Sequence, residues 1–161
     1  DLQLLGLQET DPQAEALKML DTFWNAYEIA GVSLVDMRAW RWLYAHPQAT
    51  PAEFQAAVIA IARDVWNQYY APVFKTRDVT ILAVYSHLVD ASLYLPDYAV
   101  GHLISFQIER YLEGRNLGAE MTRMCRQGGL TPGQWMEGAV GGGLSAEPLL
   151  QATEKALDEL R

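Results

Sequence analysis

With 161 residues, half of them hydrophobic and a fifth charged, the chain has the make-up of one globular domain with a sizeable core. A net charge of −8 and a pI near 4.8 weigh against nucleic acid as a partner, because phosphate binding needs clustered Lys and Arg. No run approaches the roughly eighteen apolar residues of a membrane span, and the lone Cys125 excludes an internal disulfide framework. The chain opens on Asp1, acidic rather than basic and then apolar, so no secretory signal is expected and a mature chain or a fragment is. A soluble protein is expected, with the cytoplasm favoured as its compartment.

The first ten residues read as loosely ordered. Asp11-Pro12 is an N-cap followed by Pro at the first helical position, opening a helix that runs to about Ala30 and stops at Gly31. Leu17, Leu20, Phe23, Trp24 and Tyr27 repeat at three and four, which makes one buried stripe. Ser33 with Asp36 resembles a capping box for a second helix carrying Met37, Trp40, Leu43 and Tyr44 and ending near His46-Pro47. Thr50-Pro51-Ala52-Glu53 combines cap, first-turn Pro and capping-box Glu; its helix ends before Pro72.

Thr80 to about Ala91 reads as another helix, with Leu95-Pro96-Asp97 as the joint before a long Tyr98–Leu112 helix. Leu117–Arg126 is short and closes at Gly128-Gly129, and Cys125 within it reads as a small core residue. Thr131-Pro132 opens the next helix, Gly141-Gly142-Gly143 breaks it, and a last amphipathic helix runs from Ser145-Ala146-Glu147-Pro148 to Leu160. No segment alternates with β-branched enrichment. The class is all-α, one domain over 1–161 with about seven to eight helices and no significant sheet.

Most chemistry-bearing residue types lack the company that chemistry requires. The three histidines form no His-Glu-x-x-His, the spacing that sets two imidazoles one helical turn apart with a glutamate to activate water. His46, at a helix end, suits the C-terminal dipole as a cation and reads as structural. Ser86 and Ser105 lack a Gly-x-Ser-x-Gly elbow. The glycine run lacks a preceding strand and a Lys-Ser/Thr ending, so it is no phosphate loop. Asp36, Asp64, Asp78, Asp90 and Asp97 read as caps or surface charges. Trp40 and Trp42 read as one core and one surface indole.

Tyr98 and His102 differ, because they lie one turn apart on a helix apolar on most faces, and Phe106 extends that face. Their polar tips need either internal partners or a cleft. The turn at Leu95-Pro96 can bring His87 beside Tyr98, and neutral phenol and imidazole donors reaching one point suit oxyanion stabilisation.

The string from Ser86-His87 through Tyr94, Tyr98 and Val100-Gly101-His102-Leu103-Ile104-Ser105-Phe106-Gln107-Ile108-Glu109 resembles the C-terminal part of gluzincin metallopeptidases. These are the zinc peptidases of the angiotensin-converting-enzyme and thimet-oligopeptidase/oligoendopeptidase type. The tail Gly129-Leu130-Thr131-Pro132-Gly133-Gln134-Trp135, then Gly141–Gly143, Ser145 and Pro148-Leu149-Leu150, is similar in order, so the resemblance covers roughly Ser86 to Leu160. It implies a helical C-terminal subdomain of a zincin-like peptidase that hydrolyses oligopeptides. By that resemblance Tyr98 donates to the oxygen of the tetrahedral intermediate and His87 bonds the substrate backbone. Tyr94 stands near a substrate-carboxylate tyrosine, one position out of register. Tyr85 stands where converting enzymes carry a lysine for the substrate's terminal carboxylate, so release of dipeptides is not implied.

In the family the His-Glu-x-x-His helix and the third zinc ligand lie upstream, and by family spacing both fall before Asp1. The chain is therefore expected to supply no metal ligand and to be inactive alone, with zinc in the full-length parent. The expected partners are a peptide substrate and the remaining N-terminal portion of the parent. A second copy, docked through exposed apolar surface, is a further expectation, and nucleic acid and membrane are not. The alternative is a non-enzymatic helical interaction domain with His87, Tyr98 and His102 as structural core residues.

Overall fold

The computed structural model describes residues 11–161, and among them it is all-α with no strand; the loose order expected for the first ten residues lies outside the described residues. The helices are α1 (Pro12–Ala45), α2 (Pro51–Val65), α3 (Ala71–Phe74), α4 (His87–Asp90), α5 (Leu95–Leu112), α6 (Leu117–Cys125), α7 (Pro132–Val140) and α8 (Glu147–Glu159). A π turn, Trp66–Tyr70, joins α2 to α3, and a 3₁₀ turn covers Ile81–Ala83. Two compact units are present: Asn25–Val100, and 11–24 together with Gly101–Arg161.

The local signals hold where helix ends are set by neighbouring residues. Asp11 Oδ1 accepts from the Gln13 amide, and its carbonyl accepts from Glu15. Thr50 and Glu53 close a full capping box, as do Thr131 and Gln134, each followed by Pro inside the first turn. Gly141 ends α7 in the left-handed conformation, at φ 77°.

Gly31 does not stop a helix: α1 is continuous over 34 residues. The reason lies in the Asn25–Val100 unit. A Cβ at position 31 would stand 2.0 Å from the Tyr70 hydroxyl, which donates to the Tyr27 carbonyl at 2.6 Å. Tyr27 answers by donating its own hydroxyl to the Tyr69 carbonyl at 2.5 Å, and the two rings meet at 4.8 Å. The π turn thus presents Tyr69 and Tyr70 to α1 together, and glycine lets the backbone receive them. Burial raises the pKa of both Tyr70 and Tyr27 above the ordinary phenol range.

Ser33 and Asp36 are likewise inside α1, both buried, and cap nothing. Val32, Val35 and Ala39 pack beside them against Val58, Ala62 and Val65 of α2 and against Leu82, Leu88 and Leu95. The helix expected over Thr80 to Ala91 is instead the 3₁₀ turn and the single-turn α4, and α5 begins at Leu95 rather than Tyr98. The α2 path also runs through the π turn and past Pro72 to Phe74. Trp66 stacks on Tyr70 and Phe74 and donates its indole N–H to the Thr76 carbonyl at 2.7 Å, which anchors that continuation. Trp40 and Trp42 are both half-buried rather than one core and one surface.

In the other unit Leu112, Met124 and Ala139 form the centre, with Ile108, Tyr111, Leu117, Trp135 and Val140 packed against them. Met124 takes the core position, and Cys125 is exposed. Successive helical residues point about 100° apart, so only one of the two faces the core. Arg123 closes the end of α7 by donating to the Gly138 carbonyl at 2.7 Å and the Ala139 carbonyl at 2.5 Å. Gln107 holds the glycine run: its side chain donates to the Gly143 carbonyl and accepts from the Ser145 amide, both at 2.9 Å.

Replacing Gly31 by Ala pits a helix-propensity gain of about 1 kcal/mol against an overpacking cost of about 1–3 kcal/mol. The contact is with a buried ring that cannot swing away, so a net loss of melting temperature is expected. Gly31→Ala combined with Tyr70→Phe, which removes the clashing oxygen, should recover part of it. A melting temperature that rises in Gly31→Ala alone contradicts the packing described.

Candidate functional site

The residues singled out in the Ser86–Tyr98 segment converge at the surface of the Asn25–Val100 unit. The His87 ring, on α4, lies 5.5 Å from the Tyr94 ring, tilted at 32°. Tyr94 meets Tyr98 edge-on at 5.2 Å, and the Tyr98 hydroxyl donates to the Tyr94 hydroxyl at 3.0 Å. Tyr94 and Tyr98 are 43% and 45% exposed and His87 is half-buried, so Tyr98 is no core residue and the cluster faces solvent. His102, one turn beyond Tyr98, is half-buried and belongs to the part of α5 in the other unit.

Local geometry explains the convergence. Tyr94 and Tyr98 are spaced i,i+4 across the first turn of α5, which sets their rings one above the other. Leu93, immediately before, adopts φ 59°, a left-handed conformation rare for a branched side chain. That reversal turns the chain from α4 into α5 and carries Tyr94 back over His87. The Tyr94 amide bonds the Ala91 carbonyl at 3.2 Å and closes the turn.

The bond to Tyr94, ahead of burial and the neighbouring phenol, raises the Tyr98 pKa. Tyr98 is therefore a neutral phenol throughout the physiological range, able to donate and to accept. With its proton engaged by Tyr94, the O–H left to point outward is that of Tyr94. A hydroxyl rotates freely about its C–O bond, so either phenol can turn its proton to a stronger acceptor at little cost.

Tyr85 does a different job. Its hydroxyl donates to the Glu28 carboxylate, which together with burial pushes its pKa up to about 12. That hydroxyl is committed to α1. Glu28 is a partner that sequence reading did not find; nothing in the spacing of residues 28 and 85 announces it.

A cavity of about 310 Å³ lies in the same unit, at the junction of α1 and α2, lined by Trp42, His46, Pro47, Gln48, Ala49 and Glu53. His46 Nδ1 bonds the Trp42 carbonyl at 2.8 Å and its ring stacks on the Trp42 indole at 4.1 Å. Glu53 is held by Thr50, whose backbone and side-chain bonds lower its pKa. Those polar groups are engaged in ending one helix and starting the next.

Among the described residues no three His, Cys, Asp or Glu side chains converge as metal ligands do. The zinc that the resemblance implies has no ligand set within them. Compared with protein-family models, with curated proteins and with solved structures, the chain matches none.

Two titrations follow from this geometry. Tyr94→Phe removes the acceptor of the Tyr98 proton, so the Tyr98 pKa should fall toward that of an ordinary tyrosine. Carbon-13 labelling of the tyrosine ring carbons reads it directly, and an unmoved Tyr98 titration means that the hydroxyl pair does not form. Tyr85 holds its proton more tightly folded than unfolded. Its contribution to stability is therefore complete below about pH 10 and is lost as pH rises through about 12. Denaturation midpoints should fall over that window with a slope that Tyr85→Phe reduces; an identical slope in the variant refutes the Glu28 bond.

Proposed function

We propose that the chain is the substrate-contacting helical portion of a zinc-dependent peptidase that acts on oligopeptides, with Tyr98 as oxyanion donor and His87 as a contact to the substrate backbone. One observation carries the proposal: His87, Tyr94 and Tyr98 come together on a solvent-facing surface, with two neutral hydroxyls bonded to one another. Peptide hydrolysis develops negative charge on the scissile carbonyl oxygen, and preorganised neutral donors favour that charge over the ground-state carbonyl.

In this reading the Tyr98 hydroxyl leaves Tyr94 and turns to the developing oxyanion, a stronger acceptor. Tyr94 stays beside it, with its own hydroxyl free to meet the substrate. His87 donates or accepts according to its tautomer and holds the extended backbone in register. Activation of the attacking water is assigned to no residue of this chain, since no metal-ligand cluster occurs among the described residues. The chain's own contribution is binding and charge stabilisation.

A second reading, a non-enzymatic interaction domain, draws on a separate observation. Ile81, Val84 and Val89 are 56%, 71% and 71% exposed within the segment that leads to the cluster. Apolar side chains concentrated in one segment are more usual at contact surfaces than in fully solvated ones.

Turnover of the full-length parent separates the two. Tyr98→Phe should lower kcat by about 10²–10³, the usual loss for one oxyanion donor, with zinc content unchanged. His87→Ala should act mainly on KM, as loss of uniform binding does. Wild-type kcat in Tyr98→Phe, or a parent that hydrolyses no oligopeptide, rejects the peptidase reading in favour of the interaction domain.

A further inference from the structure

A carboxylate far away in the sequence bonds the backbone on either side of Tyr94. Asp36 lies in the middle of α1 with no exposed surface. One of its oxygens accepts from the Leu93 amide and the other from the Leu95 amide, each at a long 3.4 Å. Ser33, one turn earlier on the same face, shares its single hydroxyl proton between the Leu95 carbonyl at 2.9 Å and the Ile29 carbonyl at 2.7 Å. Tyr94 therefore sits between two residues whose backbones are pinned to α1. Leu95 is itself 1% exposed and opens the helix that carries Tyr98.

A carboxylate is an expensive choice for this place if packing alone is required. Desolvation raises its pKa, while the two amides and the nearby Trp40 indole draw it back. The indole N–H itself is buried and makes no hydrogen bond of ordinary geometry. What Asp36 gains is two backbone donors around a leucine in a conformation that leucine disfavours, at φ 59°. Without an acceptor there, the Leu93 backbone has reason to relax to negative φ, and the turn that carries Tyr94 over His87 would open.

We infer that Asp36 is a positioning residue for the Tyr94–Tyr98 hydroxyl pair, acting through the left-handed backbone of Leu93. The role rests on the reading that this pair faces substrate, and the two can fail separately. Titration of the chain tests the positioning with no substrate present, whereas turnover of Tyr98→Phe tests the function.

The experiment is a tyrosine-ring titration of the 161-residue chain and its variants by carbon-13 NMR. Asp36→Asn keeps the shape but leaves one acceptor oxygen for the two backbone amides and sets its NH2 against the other. It should lower the Tyr98 pKa as Tyr94→Phe does, with helix content by circular dichroism unchanged. Leu93→Gly removes the penalty at positive φ. Added to Asp36→Asn, it should restore the raised Tyr98 titration. A merely structural Asp36 lowers stability without moving the Tyr98 titration, or moves it in a way that glycine does not rescue; either result overturns the inference. Should Asp36→Asn fail to fold, amide hydrogen exchange in the wild-type chain decides. The Leu93 amide must be protected although its residue is 43% exposed, and exchange at the free-peptide rate sinks the idea.

Discussion

The hydroxyl of Tyr70 fills the space that any side chain at position 31 would need, and the Asn25–Val100 unit is organised around that close approach. Glycine in mid-helix costs about 1 kcal/mol relative to alanine, yet it allows a buried phenol to reach the Tyr27 carbonyl of α1. The bond is reciprocated through Tyr27 and the Tyr69 carbonyl, so the π turn and the long helix are cross-braced. A π turn suits the purpose because its looser winding turns successive residues differently from an α-helix. Trp66 then stacks on Tyr70 and directs the chain past Pro72 toward residues 76–84. The turn that presents His87 and Tyr94 lies further along this path.

The elements legible from the sequence are those whose cause is local. Thr50-Pro51-Ala52-Glu53, Thr131-Pro132 and Gly141 act on backbone groups within one turn, so reading them in order recovers the start of α2 and both ends of α7. Gly31, Ser33 and Asp36 form an equally plausible local phrase, a stop followed by a capping box, and there the reading fails. Their partners are Tyr70, Leu95 and Leu93, all distant in sequence. A Ser-x-x-Asp pattern caps a helix or sits inside one according to whether tertiary contacts supply acceptors and donors for it. One signal was present. Val32, Val35 and Ala39 define an apolar face, and Asp36 adjoins Val35 on it, an unusual place for an unpaired carboxylate.

The unit containing Gly101–Arg161 is stabilised by a different device. Its helices are short, and polar side chains bind the backbone at their ends: Arg123 on the α7 carbonyls, Gln107 on the glycine run, Gln127 on the Trp135 carbonyl. Gln127 Oε1 also stands 1.9 Å from where a Cβ would lie at Gly138, but it is the end of a flexible side chain and can move aside, unlike the Tyr70 ring at position 31. The glycine run thus has a structural account in which its carbonyl and following amide are clamped by a single glutamine. A phosphate-binding role is unnecessary to explain it.

The candidate site shows how much a sequence can say about chemistry before geometry is known. Tyr98 could be picked out as a polar tip on an apolar helix, His87 through the turn at Leu95-Pro96 and Tyr94 through the resemblance alone, and the three do meet. What could not be read was the direction of the bond between the phenols, which leaves Tyr94 with the outward O–H and gives Tyr98 a raised pKa. A donor already paired to another neutral hydroxyl is held in place without being neutralised. It can turn to a charged oxygen and gain the difference between a neutral and a charge-assisted bond. A surface that keeps such a pair in register needs a fixed backbone beneath it. The buried carboxylate of Asp36 meets that need from the interior of α1.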